Sequence, residues 1–148
     1  QKNMLEKICI DLKFPGKVKL LPFTENPFNY LKHAEFLILS SKNEGFPRVI
    51  LEALACQTPV VSFDCESGPS EIINHRKNGL LVENQDFELL TNAINEMITD
   101  KRLYDFCKIN SFRSIDQFSS GFIEKEWSRY INSLGLKKTS LKTKWKQI

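Results

Sequence analysis

The sequence predicts an α/β domain built on a doubly wound parallel sheet. Two observations carry that prediction. Short apolar runs of strand length alternate with helix-length amphipathic stretches from Val18 to Val82, and the runs are continuously apolar rather than alternating, the pattern of strands buried on both faces. From Asp86 to Leu134 the periodicity turns helical, so C-terminal helices follow the sheet.

From Met4 to Leu12, the residues Leu5, Ile8, Cys9 and Leu12 recur at helical spacing until Pro15-Gly16 stops the pattern. Val18 to Phe23 predicts a short strand, Pro27 to His33 a short helix with Asn26 as its cap, and Phe36 to Leu39 a buried strand. A helix is expected from Pro47 to Cys56, a strand from Pro59 to Phe63, a short helix from Pro69 to Asn74, and a strand from Leu80 to Val82 after the Asn78-Gly79 turn. Beyond these, Phe87, Leu90, Ile94, Met97 and Ile98 share one helix face, and Leu103 to Ile109 and Phe122 to Leu134 read as two further helices. No internal repeat is present.

With 148 residues, 41% hydrophobic and 26% charged, the composition is that of a globular chain with one core. No apolar run approaches the roughly 18 to 20 residues that span a membrane, and the first residues lack a signal peptide's apolar stretch, so a cytoplasmic location is expected. Gln1 in place of Met, and an opening helix with no strand before it, lead us to expect a chain that begins partway through a larger protein. Cys9, Cys56, Cys65 and Cys107 lack the close pairing of zinc ligands and are read as reduced thiols. A net charge of +3 argues against a nucleic-acid partner, because the excess gathers near the C-terminus. There Lys137, Lys138, Lys142, Lys144 and Lys146 accompany Leu141, Trp145 and Ile148 at helix-compatible spacing. Such a tail is either a solvated end or a helix in peripheral contact with anionic lipid at the inner face of the plasma membrane.

The chemistry concentrates between Phe36 and Asp64. In open parallel sheets, ligands bind beyond the carboxyl ends of the strands, where a helix N-terminus offers unsatisfied N–H groups and partial positive charge. Pro47 at the helix start wastes no donor, the amides of Arg48 and Val49 stay free for phosphate oxygens, and Gly45 lets the backbone approach a ligand. Glu44 precedes the helix and Glu52 lies one turn beyond Arg48, about 6 Å along the axis. A carboxylate accepts two hydrogen bonds and so suits vicinal hydroxyls: one glutamate for a sugar ring, one for a ribose, with a diphosphate between. His33 and His75 fall at a helix end and in a turn, where surface roles are expected rather than catalysis.

These residues stand in a wider pattern. Glu44-Gly45-Phe46-Pro47, Glu52-Ala53-Leu54-Ala55, Thr58-Pro59-Val60-Val61, Gly68-Pro69-Ser70-Glu71-Ile72-Ile73 and Asn78-Gly79-Leu80-Leu81-Val82 occur in order, and from about Leu5 to Tyr130 the chain resembles the retaining GT-B glycosyltransferases of the family 4 type, the glycosyl transferases group 1. The resemblance implies a Rossmann-like sheet and the incomplete C-terminal, donor-binding domain of a GT-B fold. It implies that Glu44 meets the donor-sugar hydroxyls as the catalytic-site acid, that Gly45 and Phe46 border the sugar, that Arg48 and Val49 meet the diphosphate through their amides, and that Glu52 holds the ribose. The Arg48 side chain either reaches phosphate or points to solvent. Phe23 and Thr24 fall where the family meets the nucleobase, and Glu71 is expected to support the site rather than react.

The same resemblance implies transfer of a hexose or N-acetylhexosamine from a nucleotide-diphosphate sugar, by default a UDP-sugar, with retention, to a glycan or lipid-linked acceptor in bacterial-type surface polysaccharide synthesis. The leaving diphosphate helps to accept the acceptor's proton, and no cofactor or metal is expected. The family also carries an acceptor-binding N-terminal domain and a first strand-loop-helix with basic residues, for which these 148 residues hold no counterpart. Residues 1–134 are therefore read as a partial nucleotide-sugar-binding domain and 135–148 as a basic tail. The chain alone is expected to bind donor weakly or not at all, to lack turnover, and to self-associate through the edge left by the missing strand. Two alternatives stay open: a non-catalytic truncated or partner-dependent module, and an enzyme like the nucleotide-sugar 2-epimerases.

Overall fold

The computed structural model describes residues 2–11 and 17–134. The basic tail, with its lysines and its Leu141, Trp145 and Ile148, lies outside the described residues. Three strands, β1 (Leu37–Leu39), β2 (Val60–Asp64) and β3 (Gly79–Glu83), form a parallel sheet in the order β1-β2-β3. Leu37 pairs with Val60, and Val60 with Gly79. Around the sheet lie α1 (Lys2–Asp11), α2 (Phe28–Leu31), α3 (Arg48–Ala55), α4 (Pro69–Ile72), α5 (Phe87–Thr99), α6 (Lys101–Ser114) and α7 (Ser120–Ser133), with a 3₁₀ turn at Asp116–Phe118 between the last two. The α/β parallel architecture is as predicted.

Alternation along β2 explains why helices pack on both faces. Val61 and Phe63 join Leu80 and meet the Leu90, Ala93 and Met97 stripe of α5 together with Leu103, Tyr104 and Cys107 of α6. The neighbouring Val60 meets Leu31, Ile50, Ala53, Leu54, Ile72 and Ile73 on the other side. Phe63 and Phe87 add an edge-to-face pair with centroids 5.2 Å apart. Gly79 sits so close to β2 that a Cβ there would lie 2.3 Å from the Val60 carbonyl oxygen. Only glycine fits that register.

Capping sets the later helix starts. Asp86 accepts from Leu89 N at 2.8 Å, Asp100 from Leu103 N at 2.9 Å, and Ser119 from Phe122 N at 3.3 Å. Asp100 also closes α5, which fixes the α5–α6 corner. Pro27 stands at the N-cap of α2, and the expected Asn26 sits one residue before it, its Oδ1 accepting from Phe28 N at 3.2 Å. α6 runs a full turn beyond the expected Ile109, to Ser114, with the buried Ser111 hydroxyl satisfied inside the helix by the Cys107 carbonyl at 2.8 Å.

One expected strand is absent. Val18 to Phe23 is irregular and pairs with nothing among the described residues, since an extended apolar run becomes a strand only when a neighbour supplies a ladder. β1 is consequently an edge with β2 as its partner, and its Ile38 is 44% exposed, so the sheet is not covered on both faces there. The helix α1 likewise leaves Met4, Leu5, Ile8 and Ile10 exposed.

The turn before β3 is held by Asn78, which is fully buried. Its Oδ1 accepts from Asn74 N at 2.8 Å, while its Nδ2 donates to the Ile72 carbonyl at 3.1 Å and to Ser114 Oγ at 2.8 Å. One side chain thus ties α4, the β3 turn and the end of α6. All four cysteines are free thiols. Burial pushes the Cys107 thiol up to about 11, against a smaller opposing influence from Arg76.

Candidate functional site

The loops at the carboxyl ends of the three strands meet one another. After β1 the chain runs through Lys42, Asn43, Glu44, Gly45 and Phe46 into α3, with Pro47 as the residue before the helix. Pro47 has no side-chain oxygen, so no side chain caps the first turn, and the only local closure is Ile50 N donating to the Pro47 carbonyl at 3.0 Å. The amides of Arg48 and Val49 therefore open α3 without intrahelical acceptors.

Side chains from the next two loops grip this one. Ser67, after β2, donates its hydroxyl to the Glu44 carbonyl at 2.8 Å and reaches the Gly45 carbonyl at 3.4 Å. Asn84, after β3, donates its Nδ2 to the Lys42 carbonyl at 3.1 Å. Gly68 follows Ser67 at φ 92°, a left-handed conformation suited to glycine, and packs against Pro47 and the Gly45 carbonyl. Its amide donates to Glu71 Oε1 at 3.3 Å. Glu71 thus steadies the turn that faces the Glu44 loop.

The predicted residues divide into two groups. Arg48 and Glu52, one turn apart on α3, line a cleft of about 450 Å³ with Phe28, Phe112, Asp116 and Phe118 among the opposite walls. Glu44, Gly45 and Phe46 lie in the clasped loop beside the start of that helix, where Phe46 is 44% exposed and its ring packs against Phe118 at 5.8 Å between centroids. Val49 is half-buried on α3. The side chains of Glu44, Arg48 and Glu52 have no hydrogen-bond or ion-pair partner among the described residues.

Phe23 and Thr24 stand apart. Phe23 is 92% exposed, and Thr24 exchanges weak hydrogen bonds with Asn26 at 3.3 and 3.4 Å. Phe28, a few residues on, is the aromatic residue that reaches the cleft. His33 Nδ1 donates to the Asn29 carbonyl, 2.7 Å away, and His75 Nδ1 accepts from Leu81 N at 3.1 Å, so both have local structural partners. Among the described residues, no group of three or more His, Cys, Asp or Glu is placed to hold a metal ion, and no helix is long and apolar enough to cross a membrane.

Ser67, Asn84, Phe28 and Phe118 join the site without having been expected there from sequence. Ser67 stands beside the Gly68 motif and is the readiest of them to find; Asn84 and Phe118 come from distant segments that only folding brings near.

This parallel α/β sheet, with its strand-end loops beside a glutamate-bearing helix, matches GT-B glycosyltransferases in fold and sequence, as a partial Rossmann-like domain. It is similar to the crystal structure of HepE from Anabaena in complex with UDP, with a TM-score of 0.79 and 26% identity over 88% of this chain and 36% of that one. The chain belongs to the glycosyl transferases group 1, whose family model matches residues 1–113. Among curated relatives, it is 32% identical over 135 residues to an exopolysaccharide phosphotransferase of Streptomyces coelicolor, covering 90% of this chain and 14% of that protein. It is 31% identical over 130 residues to the N-acetylgalactosamine-N,N'-diacetylbacillosaminyl-diphospho-undecaprenol 4-alpha-N-acetylgalactosaminyltransferase of Campylobacter jejuni, covering 88% of this chain and 36% of that one. The chain thus spans little more than a third of these relatives' length at most.

Proposed function

We propose that this chain is the nucleotide-sugar-binding part of a retaining glycosyltransferase that passes a hexose or N-acetylhexosamine from a UDP-sugar to a glycan or lipid-linked acceptor in surface polysaccharide or glycan synthesis. The observation that carries the reading is the position of Glu52: a carboxylate without a protein partner among the described residues, on the wall of a cleft one turn from the uncapped start of α3. There it accepts from the ribose hydroxyls while the Arg48 and Val49 amides meet the diphosphate. Glu44, Gly45 and Phe46 border the sugar, and Glu71 holds the neighbouring turn. The UDP complex of HepE and the lipid-linked substrate in the Campylobacter relative's name support the donor and acceptor classes. The protein's contribution is orientation and stabilisation of the departing diphosphate, with no metal or cofactor required.

Calorimetric titration of the chain with UDP, and with GDP for comparison, tests this. Glu52→Ala should weaken UDP binding about tenfold, the loss of a charge-assisted pair of hydrogen bonds. Equal UDP affinity in the parent and Glu52→Ala proteins would remove the basis for the ribose assignment, and equal UDP-glucose affinity in the parent and Glu44→Ala proteins would remove the basis for the sugar assignment.

The uncovered Ile38 on the β1 edge favours a second reading, a module completed by another polypeptide segment or copy. Sedimentation velocity checks it: concentration-dependent association abolished by Ile38→Lys supports that reading, and a monomer at all concentrations opposes pairing between copies.

A further inference from the structure

We propose that Ser67 and Asn84 are positioning residues that aim the backbone donors of the Glu44 loop, a proposal that rests on the donor-site reading above. Every peptide bond in the described chain is trans, and a trans peptide directs its C=O and the following N–H to opposite sides. Ser67 holds the Glu44 carbonyl and Asn84 the Lys42 carbonyl, at 2.8 and 3.1 Å. The N–H groups of Gly45 and Asn43 are therefore turned away from the loops that do the holding. Neither N–H has an acceptor among the described residues.

Space is left for the ligand oxygens those donors would meet. A Cβ built on Gly45 finds nothing within 4 Å, in contrast to Gly68, which is hemmed in on the inner side. The aim of Asn84 is itself set: its Oδ1 accepts from Gln85 Nε2 at 3.3 Å, which leaves its Nδ2 facing Lys42. Gln85 itself stands at φ 64° between β3 and the start of α5. One loop is thus held by side chains from both of the following strand ends, and its outward amides form a fixed pair of donors for oxygens of a sugar or diphosphate. Fixed donors need no reorganisation when charge develops on the ligand, which makes their direction worth holding.

The test combines a readout that needs no ligand with one that does. Amide hydrogen exchange on Ser67→Ala, Asn84→Ala and the double variant should quicken about fivefold or more in residues 41–47, the loss expected for one net hydrogen bond, while residues 60–64 of β2 keep their protection. UDP-glucose or UDP-N-acetylglucosamine titrations should weaken about fivefold in each single variant, and Ser67→Thr, which keeps the hydroxyl, should restore the loop and the affinity together. Unchanged exchange in residues 41–47 overturns the positioning role. A loosened loop with unchanged affinity overturns its service to the site. If the parent chain binds no nucleotide sugar yet its loop loosens in the variants, the positioning stands and the donor-site reading fails.

Discussion

Gly68 and Pro47 touch so closely that a methyl group on Gly68 would lie 2.4 Å from Pro47 Cδ and 2.8 Å from the Gly45 carbonyl oxygen. Neither neighbour is the free end of a flexible chain, and Gly68 stands at φ 92°. Gly68→Ala should cost about 1–3 kcal/mol from the backbone conformation alone, with the clash added. The same change at Gly45, where a Cβ meets nothing, should leave the melting temperature unchanged and reduce nucleotide-sugar binding by obstructing the ligand's approach. Thermal melts and titrations of the two variants, side by side, check the contrast; an equal loss of stability would contradict the geometry.

Asn78 makes the corresponding polar commitment at the other end of α4. Asn78→Leu removes a partner from Asn74 N, the Ile72 carbonyl and Ser114 Oγ at once, in a fully buried position. About 2–3 kcal/mol or more should be lost in urea unfolding, since each orphaned group carries its own desolvation cost. By comparison, the Arg76–Glu96 pair at 2.6 Å joins two well-exposed side chains, and Arg76→Ala should not measurably move the midpoint.

Cys107 gives the fold an alkaline limit. Its thiol is held up to about 11 by burial, above an ordinary value near 9.0. The unfolded chain therefore sheds that proton first, so the stabilising contribution is complete below pH 9 and declines as pH rises from 9 to 11. Melting temperatures measured across that interval should fall more steeply for the parent protein than for Cys107→Ala. Identical slopes would mean that the thiol does not titrate there.

The fold was legible where burial and periodicity agree. β2 and α5 each sit in a dense core, and their apolar spacing specified them within a residue or two. Val18 to Phe23 has the same local character and failed as a strand, because ladder formation depends on a neighbour that local sequence cannot report. The site divided in the same manner. Glu44, Arg48 and Glu52 belong to one helix and the loop before it, so their nearness follows from sequence order alone. Ser67 and Asn84 bond to carbonyls far along the chain; Ser67 at least adjoins the Gly68 motif, whereas nothing beside Asn84 announces a role. Phe46 reads from sequence as a border of the sugar alone, whereas its ring also has a partner in Phe118.

The order β1-β2-β3 has a bearing on how the molecule comes together. Among the described residues β2 pairs with β1 and β3 with β2, each with the strand made roughly twenty residues before it, so both ladders close over a short span of chain. During synthesis from the N-terminus, β1 can receive β2 as soon as α3 has formed, and β2 can then receive β3. Among these three strands the sheet can grow in one direction, with β1 as the template for β2 and β2 for β3.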